Sequence, residues 1–260
     1  GSLVSGSSSV VQLDAWNWED AAYKTDNGIH ITLPSFLAQR GGRFSNQQSQ
    51  QEDDAEKKAL EKIAGIKSFF AEAGSYLQEA EHEHTNLKLA SVKGLFNKSQ
   101  KLFVHADEVK QMLAAIDFVK EFGFSVVIVG GSESWQIAPL LKQNNIAVIL
   151  GPEHELPATE DEDIDQPYKT PAALQKAGVL FALNDNTANT RFRNLSFNAG
   201  TAAAYGLTKE EALSAITLNA AKILGIDDRT GSLEAGKDAN IIISEGDILD
   251  MKSSIVTHAF

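Results

Sequence analysis

The sequence has no cysteine among its 260 residues. Disulfide bonds and thiolate metal sites are therefore excluded. If the protein holds a metal ion, histidine, aspartate and glutamate are the side chains left to bind it.

Basic residues are also scarce. Lys and Arg number 23 against 35 Asp and Glu, which gives a formal net charge of −12 at pH 7. Because no basic stripe is present to replace the counterions of phosphates, this balance argues against nucleic-acid binding. No apolar run approaches the ~20 residues that span a bilayer, so no membrane partner is expected. The stretch "IVGGSES" lacks the G-x-G-x-x-G spacing of a dinucleotide-binding turn, so no Rossmann cofactor is expected.

The sequence also lacks an initiator methionine and begins with Gly1-Ser2. Such a start is either a cloning remnant or a cut inside a longer protein, so the lack of a signal peptide says little. We predict a cytoplasmic location and leave a periplasmic or secreted one open.

The middle of the sequence alternates between short apolar runs and helix-compatible stretches. One of the latter, "EVKQMLAAIDFVKEFG", is amphipathic and stops at Gly123, as a helix does at a C-terminal glycine. A helical pattern also covers Asp54 to Phe96, with apolar residues three and four apart. Continuous apolar strands that alternate with helices indicate a parallel sheet buried on both faces. The predicted strands are 102–105, 126–129, 147–150 and 179–183.

Functional groups of such sheets gather at the carboxyl ends of the strands. At those ends the sequence places His105, Glu133, His154 and Asp185. Each of these residues also has a purely structural interpretation. His105 could be a core residue, Glu133 and His154 could lie on the loop surface, and Asp185 could form a turn. The second strand runs directly into Gly130-Gly131.

The last part of the sequence changes character. Thr208 and Glu211 predict a capping box, and Thr217 is predicted to cap a second short helix that ends at Gly225. A β-rich run over 240–244 and the final "SSIVTHAF" follow. Two strands do not form a stable sheet by themselves, so these need partners from elsewhere.

The segment "ITLNAAKILGIDDRTGSLEAGKDANIIISEGDIL" resembles the C-terminal part of the amidohydrolase superfamily, in particular its imidazolonepropionase-like branch. The likeness extends back through "NLSFNAGTAAAYGLTKEEAL" and "LFVHADE", so that it covers about 102–260. It implies an α/β fold with a metal-dependent-hydrolase (β/α)8 TIM-like barrel that lacks its first strands here. Residues 1–225 would form this partial barrel, and residues 226–260 would supply C-terminal strands of a small composite β-sandwich.

The resemblance also implies a metal site. His105 would be the ligand at the end of the fifth barrel strand. Asp185, at the end of the eighth, would bind the metal and take the proton of the attacking water. The expected metal is divalent, with zinc as the first choice.

Two parts of the family's ligand pattern have no counterpart in this sequence. Gly130-Gly131 stands where the family has a histidine on the sixth strand, and the His-x-His pair of the first strand is absent. Glu133 and His154 could substitute as ligands. We therefore expect the metal site to be weakly filled or empty in residues 1–260, although the full-length protein would hold the metal.

Three functions stay open at this point. The first is a fragment of a metal-dependent amidohydrolase that hydrolyses C–N bonds of cyclic or linear amides with a metal-activated water. The second is a catalytically inactive barrel that serves as a binding or structural subunit. The third, an unrelated parallel α/β binding protein, is disfavoured by the tail segment.

The expected partner is a small-molecule substrate. Missing first strands would also leave an unpaired sheet edge, which is prone to association. We expect this edge to be covered by the chain's own N-terminal segment or by another chain, as in a homo-oligomer.

Overall fold

The computed structural model describes residues 4–37, 48–79, 84–157, 162–185 and 192–260. The chain divides into two compact units, Gly1–Val127 and Ile128–Phe260.

The first unit combines strands with one long helix and several shorter ones. Its strands are β1 (Val4–Val11), β2 (Ala22–Thr32) and β3 (Lys101–Ala106), and β4 (Val126–Gly130) begins at its end. Its helices are α1 (Trp18–Ala21), α2 (Gln48–Gln78), α3 (Leu87–Ala90), α4 (Lys93–Phe96) and α5 (Val109–Phe122).

The second unit continues the alternation of strands and helices. Its strands are β5 (Ala147–Leu150), β6 (Phe181–Leu183), β7 (Ile242–Glu245) and β8 (Ile255–Ala259). Its helices are α6 (Ala138–Gln143), α7 (Gln166–Ala177), α8 (Leu195–Ala204), α9 (Lys209–Ile216) and α10 (Leu218–Leu224), with short 3-10 turns at Ser134–Ile137 and Phe192–Asn194.

The strands of the main sheet follow the order of the chain, β1-β2-β3-β4-β5-β6. Strands β2 and β3 are parallel, and so are β5 and β6. The four predicted strands correspond to β3, β4, β5 and β6, with ends that differ by at most two residues. This mixed α/β arrangement confirms the predicted fold class, a partial TIM-like barrel.

The N-terminal segment covers the outer edge of β2. Strand β1 pairs with β2 in the antiparallel direction, with Ser7 opposite Ile29 and Ser8 opposite Gly28. An antiparallel partner occupies the hydrogen-bonding groups that would otherwise invite another chain. The first of the two predicted ways of covering this edge is therefore confirmed.

Aromatic side chains fix the helices of the first unit on its sheet. Phe70 of α2, Phe118 of α5 and Phe124, just before β4, are each 2% exposed or less. The Phe70 ring lies 5.9 Å from that of Phe118 and 5.2 Å from that of Phe124, both edge-on. Burying each such side chain contributes about 1.5–3 kcal/mol. Helix α5 then ends as predicted, because Gly123 adopts a left-handed conformation with φ 70°.

The two predicted threonine caps have different outcomes. The Thr208 side chain accepts a hydrogen bond from the Glu211 backbone N–H, and the Glu211 carboxylate accepts one from the Thr208 backbone N–H, which confirms the capping box. Thr217 stands at the start of α10, but its side chain does not cap that helix. Its hydroxyl donates to the Leu213 carbonyl at 2.6 Å instead. The predicted Thr217 cap is therefore wrong, because the hydroxyl is hydrogen-bonded to the last turn of α9 and is not bonded to a backbone N–H of α10.

Strands β7 and β8 form a separate antiparallel pair. Ile242, Ile243, Ile255 and Val256 all remain about half exposed. Such a pair is marginal by itself, so its partners stay a prediction. The division into residues 1–225 and 226–260 also stays a prediction.

Within the described ranges, no helix combines the length and the apolar composition needed to cross a bilayer. The cytoplasmic location stays a prediction.

Candidate active site

His105 stands at the carboxyl end of β3, as the sequence predicts, and it has a second histidine beside it. Alternation along β3 places Leu102 and Val104 on one face, where both are fully buried, and His105 on the other, where it is half-buried. On the neighbouring parallel strand, His30 lies opposite Phe103. The register therefore brings His30 next to His105 on the same face of the sheet.

The two imidazoles are in direct contact. Nδ1 of His30 lies 3.0 Å from Nε2 of His105, and Nε2 of His30 lies 2.9 Å from the Ser8 hydroxyl on β1. Ser8 therefore holds the far side of the His30 ring and turns its Nδ1 toward His105. Sequence reasoning missed His30, although the alternation of Ile29, His30 and Ile31 in "GIHITL" placed it on the opposite face from two core residues.

The ring of Phe103 supports this pair. It stacks on His30 with ring centroids 4.9 Å apart and planes only 9° from parallel. Gly28 makes room for it, because a Cβ at that position would lie 2.3 Å from the Phe103 ring. A glycine inside a strand often marks such a close approach.

Burial keeps both histidines neutral near pH 7. Desolvation, aided by the neighbouring His105, lowers the pKa of His30. Desolvation also lowers the pKa of His105, although the nearby Asp107 carboxylate opposes it. A neutral imidazole can bind a metal ion through its lone pair. In the 3.0 Å contact, one of the two facing nitrogens donates its N–H to the lone pair of the other.

The residues that follow His105 hold the strand end in place. Both Glu108 carboxylate oxygens accept hydrogen bonds, one from the Ser35 hydroxyl and one from the Phe36 backbone N–H at 2.9 Å. The Gln111 side chain accepts from the Asp107 and Glu108 backbone amides at 2.8 and 3.0 Å. The Glu108 bonds tie the turn after β3 to the segment that follows β2, and the Gln111 bonds hold that turn against the first turn of α5.

In the second unit, Asp185 is buried just beyond the end of β6. It is 5% exposed, and Asn198 of α8 donates a hydrogen bond to its Oδ2 at 3.3 Å. Asn198 is itself 2% exposed. A buried carboxylate held by a buried amide has a fixed orientation, which suits a group that must receive a proton at a defined point.

His154 lies near the same helix. Its Nε2 is 3.1 Å from the hydroxyl of Thr201 on α8, and its ring contacts Tyr168 edge-on. Thr201 follows Asn198 by three positions, so the two side chains lie on one face of α8. The structure thus brings His154 and Asp185 to one face of one helix, with His154 exposed and Asp185 buried.

A buried carboxyl group that sequence reasoning missed lies beside His154. Glu153 is 3% exposed, and neither of its oxygens has a hydrogen-bond partner among the described residues. Burial raises the pKa of Glu153 to about 9, so the group is protonated near pH 7. Its position in the polar stretch "GPEHE" gave no signal of burial.

The backbone conformation at the end of β4 explains why glycines, and not a histidine, stand there. Gly130 and Gly131 both have positive φ, 106° and 67°. A Cβ at Gly131 would also lie 2.9 Å from the Val148 side chain. A histidine at Gly131 would be strained in both respects. Glu133, two residues on, is half-exposed at the start of the 3-10 turn Ser134–Ile137.

The His30–His105 pair fits two neighbouring positions around one metal ion. Zinc–nitrogen bonds of about 2.0–2.1 Å at tetrahedral angles place ligand nitrogens roughly 3.3 Å apart, close to the 3.0 Å found here. Within the described ranges no group of three His, Asp or Glu side chains could hold a metal ion. A site shared by His105 and Asp185, with Glu133 or His154 as substitute ligands, stays a prediction.

The chain is similar to known proteins in sequence and in fold. The sequence model of the Amidohydrolase family matches residues 5–259. The chain is 31% identical over 150 residues to the imidazolonepropionase of Picrophilus torridus, which covers 56% of this chain and 36% of that protein. It is 28% identical over 165 residues to the imidazolonepropionase of Yersinia pseudotuberculosis, which covers 61% of this chain and 39% of that protein.

A solved structure extends the likeness to the fold. The amidohydrolase from Thermotoga maritima MSB8 is 27% identical, with a TM-score of 0.79 over 99% of this chain and 67% of that chain. The chain thus spans well under half the length of the two curated relatives and about two thirds of the solved one. Because the family match covers nearly every residue, this chain belongs to the amidohydrolase family, and in sequence it resembles the imidazolonepropionase-like branch of that family.

Proposed function

We propose that this chain forms part of a metal-dependent hydrolase that cleaves C–N bonds of cyclic or linear amides. The observation that carries the proposal is the contact between two neutral imidazoles, His30 and His105, at 3.0 Å. The curated relatives point to a cyclic amide of the imidazolone propionate kind as the first substrate class to try.

His30 through Nδ1 and His105 through Nε2 would hold the metal, with zinc as the expected ion. When bound, such an ion lowers the pKa of a water molecule, so that hydroxide forms near neutral pH. The Ser8 hydroxyl occupies Nε2 of His30, and the Phe103 ring stacks on the His30 imidazole. These contacts preserve the ring orientation that a ligand needs.

Asp185 is the proposed proton carrier. Its carboxylate would take a proton from the attacking water as the new C–O bond forms. It would then give that proton to the amine as the C–N bond breaks, so the nitrogen leaves as a neutral amine. Asn198 would keep the carboxylate aimed through both transfers.

The matched substitution Asp185→Asn tests this role, because it keeps the shape and removes the proton acceptor. In the longest natural form of the protein, supplied with zinc, we expect amide hydrolysis to fall by about a hundredfold or more, since general acid–base groups contribute 10²–10⁴. Asp228→Asn, an exposed aspartate, serves as the control and should leave the rate unchanged. Equal rates for both variants and wild type would contradict the assignment of Asp185.

A catalytically inactive binding or structural subunit is the second candidate. The observation that favours it is the small number of ligands, since two imidazoles meet but no third ligand joins them within the described ranges. If the zinc-supplied protein shows no hydrolysis with imidazolone propionate or linear amides, yet binds them, the subunit function is supported instead.

A further inference from the structure

A groove opens in the first unit on the helix-covered side of the sheet. It has a volume of about 630 Å³ and lies between β1, α2 and the segment around α3. Ile29, Ile66 and Val92 lie beneath it and are each at most 2% exposed, whereas Val4 and Phe69 present partly exposed apolar surface to it. Ile29 and His30 are successive residues of β2, so they face opposite sides of the sheet. The volume is in the range of sites that hold small organic ligands.

Two glycines keep the groove open. Gly6 of β1 and Gly65 of α2 both line it, and a Cβ at either position would meet no atom within 4 Å. Gly65 lies in the interior of a 31-residue helix. A glycine there is less favourable for the helix than alanine, and no packing contact requires it. Its effect on the structure is to leave space in the groove.

The rim of the groove is positively charged, although the chain as a whole carries −12. Lys62 and Lys88 line it, and no carboxylate is among its described lining residues. The Lys88 ammonium lies 5.0 Å from the centre of the Phe69 ring, which places the charge at the edge of the apolar surface. Ser5 adds a hydroxyl at a shift in the β1–β2 register, where the strand has an extra residue.

We propose that this groove binds a small carboxylate with an apolar body, such as a medium-chain fatty acid. The apolar body lies against Val4 and Phe69, in the space above Gly65. The carboxylate lies between the ammonium groups of Lys62 and Lys88. This ligand class matches both the partly exposed apolar lining and the two lysines at the rim.

Calorimetric titration of the 260-residue chain with octanoate tests the class of ligand. We expect saturable binding of one octanoate. Octanamide, which keeps the chain and loses the charge, should bind roughly fivefold more weakly or less well still, because exposed ion pairs contribute up to about 1 kcal/mol each. Butyrate, which keeps the charge and loses most of the apolar body, should not bind measurably. Absence of octanoate binding, or equal binding of octanoate and octanamide, would overturn the proposal.

Filling the groove tests its location. Gly65→Leu places a side chain in the open space and raises helix propensity, so the variant should fold and lose octanoate binding. Ala64→Leu adds the same side chain one position earlier, outside the groove, and should bind like wild type. Lys62→Met and Lys88→Met should each weaken binding about two- to fivefold, whereas Lys57→Met should not. Unchanged binding in Gly65→Leu would place the octanoate elsewhere and refute the assignment.

Discussion

At the scale of single residues, the second unit buries an ionisable group, the carboxyl group of Glu153, away from water. Glu153 is nearly inaccessible and has no described hydrogen-bond partner, so its charged form would lose its hydration without compensation. The pKa near 9 means that the folded protein holds a proton there which the unfolded chain releases at about 4.5. Between those two values, this group makes folding less favourable as the pH rises.

Glu153→Gln should therefore stabilise the protein near pH 7, because the amide resembles the protonated acid. The pKa difference sets an upper limit of about 3 kcal/mol at pH 7, so a gain on the order of 1–3 kcal/mol is expected. The gain should shrink as the pH falls toward 4.5. Chemical denaturation of wild type and variant at pH 5 and pH 7 measures it, with the exposed neighbour Glu155→Gln as the control. A variant less stable than wild type at pH 7 would show that Glu153 is charged and paired.

The residues that sequence reasoning missed are those whose environment depends on distant parts of the chain. His105 was predicted from its position at a strand end, which is local information. Its partner His30 is 75 positions away, and the contact depends on the register between β2 and β3. Glu153 lies in a polar stretch, and only the folded chain shows that it is buried.

At the scale of elements, the two threonines at helix starts make different contributions. Thr208 takes part in a reciprocal capping box, so Thr208→Ala should lower the free energy of unfolding by about 1 kcal/mol. Thr217→Ala should have a clearly smaller effect, since its hydroxyl donates to a carbonyl and caps no amide. Denaturant unfolding measures both losses, provided that the slope of the free energy of unfolding against denaturant concentration is the same in variant and wild type. Equal losses would contradict the difference in capping.

The strands of the parallel sheet were predictable because each is a continuous apolar run closed by a helix signal. Their predicted and observed ends agree closely for β3, β4 and β5. Covering of the sheet edge by the N-terminal segment was predictable only as one of two alternatives, and the antiparallel direction of β1 was not predicted. Its sequence "VSGSSSVV" is polar and small, so it lacks the continuous apolar run that marks the other strands.

At the scale of the whole molecule, the ligands that the family resemblance implies are distributed over both units. His105 belongs to the first unit, with His30 beside it, and Asp185 belongs to the second. The sequence places His105 and Asp185 at strand ends, and the structure has them there. The sequence could not count the ligands that meet, because that number depends on contacts between residues far apart in the chain.

Zinc binding by the 260-residue chain should consequently be weak. Tight zinc sites take at least three protein ligands, and the described residues bring two imidazoles together without a third ligand. We expect zinc to be lost on dialysis against a mild chelator, and metal analysis of the dialysed protein measures this. Residual affinity should fall in both His30→Ala and His105→Ala, because each removes half of the pair, whereas His258→Ala, an exposed histidine on β8, should match wild type. One equivalent of zinc that survives dialysis and disappears only in His105→Ala would mean that a full set of ligands forms without His30. Glu133 and His154 would then be the first residues to substitute, since both follow strand ends of the same sheet.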